Sequence, residues 1–119
     1  MTAPTVNIGT VANVFVRQMV FAAAGDQELG HAHPFDHMTL LAKGSMSVTI
    51  GDKETVFTAP SMVYIEANTQ HTLTATSEQT VAYCVHALRE PAGDIIAPDM
   101  IPQGAALFDV LVASTSKNA

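Results

Sequence analysis

The sequence is short of three things, and each shortage removes a class of explanation. Cysteine occurs once, at Cys84, so no disulfide can form within the chain. That agrees with a reducing interior, and a cytoplasmic location is expected. Basic residues number five against eleven acidic ones, for a net charge of −6. With no basic patch in view, neither a nucleic-acid nor a membrane-surface partner is expected. Long apolar runs are missing too. The stretch that comes nearest, Val11 to Ala24, carries Arg17 inside it and has no positive side chain ahead of it. It is also too short to span a bilayer, and it reads as two strands of the domain. Glycine-rich phosphate loops, nucleophile elbows, internal repeats and low-complexity tracts are absent as well.

What is present fits one compact domain over residues 1–119. The apolar fraction is 48% and the charged fraction 13%, enough to build a core and too little polarity for disorder. Residues 1–10 have little pattern and suit an arm or edge strand. β-branched and aromatic residues from Val11 to Ala23 indicate strand, ended at Gly25-Asp26. Met38 to Lys43 reads as a strand turned at Gly44. Ser45 to Ile50 alternates, with Met46, Val48 and Ile50 on one face. Gly51-Asp52-Lys53 makes a hairpin into Glu54–Thr58, which Pro60 stops. Met62 to Ile65 reads as a short buried run, and Glu66 to Gln70 as a loop.

In the next segment His71, Leu73 and Ala75 share one face, which places His71 on the apolar side. Thr80 to Leu88 is apolar on both faces and therefore central. Beyond Arg89, Pro91, Pro98 and Pro102 describe an extended segment over 89–119, in which 105–112 fits a helix or an edge strand equally. Many short strands with turn signals between them indicate an all-β sandwich or barrel.

Within that frame one stretch concentrates chemistry: Gly30-His31-Ala32-His33-Pro34-Phe35-Asp36-His37, leading into an apolar strand. In an extended chain His31 and His33 project to the same side, and Pro34 favours a break there. His37 then comes round at the start of the next strand, so three imidazoles can converge, with His71 as a fourth. Neutral imidazole is the commonest protein metal ligand, which makes His31, His33, His37 and His71 the candidate metal set.

Other residues near this stretch have two readings each. Asp36 orients an imidazole or faces solvent. Thr39 shares strand parity with His37 and lines the pocket or simply packs. Phe35 and Tyr64 belong to the core or the rim rather than to substrate contacts, with Phe35 a candidate for lining the pocket. Arg17 anchors a substrate carboxylate or forms a salt bridge at the strand's exposed end. Cys84 and His86 share a face, Cys84 as a pocket residue or a buried inert thiol, and His86 as a packed histidine rather than a fifth ligand.

These spacings resemble the cupin superfamily. Its first motif is a glycine-preceded His-x-His, three or four residues, Glu, six residues and Gly. Here it runs from Gly30 through His31, His33 and His37 to Gly44, with His37 standing where the glutamate usually does. Its second motif, Pro-x-Gly-x-x-His, is matched by Glu66 to His71, with Asn68 at the glycine position. Asn tolerates the left-handed conformation a turn there demands. The resemblance spans roughly residues 14–88. It implies a double-stranded β-helix (a jelly-roll barrel), a homodimer formed through sheet edges, and a metal inside the barrel near one end. Similarity to small four-histidine cupins implies manganese or iron, with Cys84 turned towards the ion.

Ligand chemistry alone also admits Ni, Co, Cu and Zn. Four neutral ligands leave the ion its full charge, and an octahedral ion would keep two positions for a small organic anion, whereas tetrahedral zinc would be saturated. The expectation is therefore a mononuclear oxidoreductase of dioxygenase type acting on a small oxygenated molecule. The alternatives are a non-catalytic metal-containing module that binds a small molecule or stabilises the barrel, and a metal-dependent isomerase or lyase.

Overall fold

The structure, a computed structural model, describes residues 2–32 and 34–88, with backbone alone at positions 30 and 31. The expectations for 89–119, including the helix-or-strand question at 105–112, lie outside the described residues. Among the described residues nine strands are formed: β1 (Thr5–Val11), β2 (Val14–Phe21), β3 (Gln27–His31), β4 (His37–Lys43), β5 (Ser45–Ile50), β6 (Lys53–Thr58), β7 (Ser61–Ile65), β8 (His71–Ala75) and β9 (Thr80–Ala87). They build two antiparallel sheets, ordered β1-β2-β9-β4-β7 and β3-β8-β5-β6. Apart from the β1–β2 and β5–β6 hairpins, every connection passes from one sheet to the other, the winding of a jelly roll. No described helix is long and apolar enough to cross a membrane.

Alternation along the strands assembles the core. Met19 and Phe21 from β2, Leu41 from β4, Met46 and Val48 from β5, and Leu73 from β8 are all buried between the sheets. Each such side chain contributes about 1.5–3 kcal/mol by leaving water. Strand β9 is central as expected, flanked by β2 and β4.

Two turns explain two residue choices. Gly44 sits at φ +84°, and a Cβ there would run into Thr80 Oγ1 and, at 2.9 Å, Ser77 Oγ. Asn68 takes φ 60°, the left-handed conformation anticipated for it. Ala12 and Gln79 also have positive φ, at 52° and 57°, although neither residue type signals it. The Val11–Ala24 segment contains the end of β1, a turn at Ala12-Asn13 and all of β2.

One expectation fails. The run from Met62 to Ile65 is not uniformly buried: Val63 and Ile65 face inward, while Met62 is 75% and Tyr64 58% exposed. β7 is an edge strand, so its second face meets solvent and only alternate positions are covered.

Candidate metal centre

The two sheets bring histidines together at one end of the barrel. His37 opens β4 and pairs in register with the buried Ile65, which fixes its side chain on the inner face. His71 opens β8 in the other sheet, with Leu73 and Ala75 buried beyond it on the same face. Both imidazoles are buried, at 5% and 3% exposure, and their ring centroids lie 5.2 Å apart. The His71 Nδ1 stands 2.9 Å from the carbonyl oxygen of Thr69. A carbonyl can only accept, so Nδ1 carries the proton and Nε2 holds the lone pair a metal ion needs.

The backbone of His31 stands directly opposite His71 in the β3–β8 register, after an irregularity that begins at Glu28. His33 lies outside the described residues. Among the described residues no group of three or more His, Cys, Asp or Glu side chains forms a metal cluster. The observations that bear on a metal are therefore the buried imidazole pair, the Thr69 carbonyl that fixes the His71 tautomer, and the register of His31. They fit a first-row divalent ion.

His86 occupies the same end. It pairs with Phe15 across β2–β9, stacks on that ring at 4.7 Å, and meets the Phe35 ring at 4.6 Å. Its Nδ1 donates to the Ala87 carbonyl at 2.8 Å. His86 is thus a packed histidine held between two rings, and Phe35, 7% exposed, is its cover.

One inward step deeper, register lines up Arg17, Cys84 and Thr39. The Thr39 hydroxyl and the Cys84 thiol lie 3.5 Å apart. Burial pushes the pKa of Cys84 up, outweighing the opposite pulls of the Thr39 hydrogen bond and the Arg17 charge. The thiol is therefore protonated at neutral pH. Arg17 corrects the expectation of a salt bridge at an exposed strand end. Its Nη1 reaches between the sheets to Glu28 Oε1 at 3.1 Å, with both side chains largely buried at 18% and 13% exposure. Sequence reasoning did not single out Glu28. The available signal was Arg17 itself, a lone cation on an apolar strand that needs a carboxylate partner.

Asp36 orients a loop. Its carboxylate accepts from the Ala67 backbone N–H at 2.7 Å and from the Tyr64 hydroxyl, which raises the tyrosine pKa. In this way it clamps the loop leading to His71 onto β7.

With this geometry in view, comparison with known proteins is direct. Residues 18–86 match the family model described as the cupin domain, more than half of the chain. The chain belongs to the cupin family. Solved structures agree on the fold. A cupin-2 domain protein from Shewanella frigidimarina superposes with a TM-score of 0.60 at 12% identity, covering 73% of this chain and 83% of that one. An RmlC-like cupin with a double-stranded β-helix fold from Methanocaldococcus jannaschii gives 0.60 at 19% identity, covering 71% and 82%. KdgF from Halomonas gives 0.63 at 14% identity, covering 71% and 78%. At these identities the likeness extends to fold alone. Among curated proteins none matches this sequence.

Proposed function

We propose that this cupin holds one divalent metal ion, manganese or iron, on His31, His33, His37 and His71, and is an oxidoreductase of dioxygenase type. Its substrate would be a small oxygenated organic molecule. The supporting observation is the His37–His71 pair: two buried imidazoles from different sheets, 5.2 Å apart, with His71 fixed by Thr69. Such an ion supplies Lewis acidity and one-electron chemistry.

The chain's own residues set the conditions. Four neutral imidazoles bring no negative charge, so the site favours an anionic ligand. Asp36 accepts from the Ala67 N–H, stabilises the loop before His71 and so keeps the His71 imidazole in place. Phe15, His86 and Phe35 pack together at this end of the barrel and limit water there. Cys84 and Thr39 present a neutral, weakly polar wall one step deeper. Arg17, engaged by Glu28, holds the two sheets at a fixed spacing beside it.

Elemental analysis and electron paramagnetic resonance of protein purified without chelator, followed by dioxygen uptake over enolates, catechols and diketones, test this reading. Manganese or iron with substrate-dependent uptake is expected. Stoichiometric zinc saturated by four histidines would contradict it and leave a structural site.

A further inference from the structure

Along one side of the barrel the two sheets stay apart. β6 is the outer strand of one sheet and β7 of the other, and no described ladder joins them. A half-open groove of about 210 Å³ lies between them. Its floor is the buried pair Val48 and Val63, and its walls include Ile50 and Phe57. Tyr64 and Lys53 stand exposed at its mouth.

Lys53 is the informative residue. It makes no ion pair among the described residues, whereas the buried Arg17 is committed to Glu28. The adjacent Glu54 carboxylate accepts from Ser47 Oγ at 3.0 Å. An uncommitted ammonium at the mouth of an apolar groove, on a chain of net charge −6, suits an anion with an apolar body. Size narrows the class. The groove is smaller than the ~300–1,000 Å³ of drug-sized ligand sites, so a single ring or a short acyl chain fits.

We propose that this groove is a binding site for a small amphipathic monocarboxylate, its apolar body against Val48, Ile50, Phe57 and Val63 and its carboxylate on the Lys53 ammonium. The site adjoins the histidine centre. Ile50 stands opposite His71 in register and Lys53 opposite Ile50, so Lys53 is two strand spacings from His71, roughly 10 Å. It is built from its own residues and does not depend on a bound metal.

The test uses the metal-free full chain, with amide NMR shifts followed during titration with benzoate, hexanoate, benzyl alcohol and benzylamine. The two acids are expected to shift amides of β5, β6 and β7 around the groove. Benzyl alcohol should bind about tenfold more weakly than benzoate, and benzylamine more weakly still. Lys53→Gln should reduce benzoate to the level of the alcohol and leave the alcohol unchanged. Thr55→Trp, at an exposed position lining the groove, should abolish both. Unchanged circular dichroism would show that both variants fold.

Four results would overturn the proposal: no groove shifts at millimolar acid, equal affinity for acid and alcohol, no effect of Lys53→Gln, or shifts on another face. Acid binding that requires added manganese and disappears with His71→Ala would also overturn it, by making the carboxylate a metal ligand. Failure of the metal centre itself would leave the groove result untouched.

Discussion

The two ends of this barrel use their buried positions differently. At the end near Gly44, the inward residues are Met19, Phe21, Leu41, Met46 and Ala82, all essentially inaccessible to water. At the other end, the equivalent strand positions carry the buried His37 and His71 and the half-buried His86, which packs between Phe15 and Phe35. The apolar end gains stability from transfer out of water. The histidine end gives up part of that gain, because each buried ring nitrogen needs a partner that an aliphatic side chain would not. A fold that stabilises one end apolarly can keep polar ligands at the other.

Substitutions separate the two ends. Leu41→Ala should cost the most stability, about 2–5 kcal/mol in urea unfolding, while metal affinity stays nearly constant. His71→Ala should do the reverse, weakening metal binding more than about a hundredfold by competition with a chelator, since even losing a supporting partner costs ~10–100-fold. If Leu41→Ala also abolished metal binding at the proposed site, the two ends would not be independent. Gly44→Ala should destabilise by about 1–3 kcal/mol, through both the left-handed backbone and the collision with Thr80.

Asp26 provides a pH test at the apolar end. Hydrogen bonds from the Ala23 N–H and then from Thr2 hold its pKa below the ordinary 3.8. Its contribution is therefore full above that value and is lost as the pH falls through the lowered pKa of the folded state. Asp26→Asn should lower the urea midpoint at pH 7 and flatten its fall at pH 3. The smallest effect is expected from His86→Ala, which should leave metal affinity nearly unchanged. Losses equal to those of His37→Ala would reassign the cluster.

Most of the strands were legible because alternation is a direct imprint of a two-faced sheet. His71, Leu73 and Ala75 are the clearest case, and their common burial follows from it. Asn68 was readable because few residue types accept a left-handed turn. Ala12 and Gln79 were not readable, since neither favours the conformation that the surrounding turns impose on it. Met62 and Tyr64 misled because hydropathy does not say whether a strand lies at an edge. The Arg17–Glu28 bridge joins two sheets, and no local pattern encodes which strand of one sheet will face which of the other. The histidine string was conspicuous in sequence, and the structure adds the depth of His37 and His71 and the carbonyl that selects the His71 tautomer.

The most direct test of the central claim is a crystal soaked with manganese and recorded for anomalous scattering. The account predicts one peak per chain between His37 and His71, within about 2.0–2.3 Å of four imidazole nitrogens, including those of His31 and His33. A peak elsewhere, or none while His37 and His71 stay packed as they are, would contradict it.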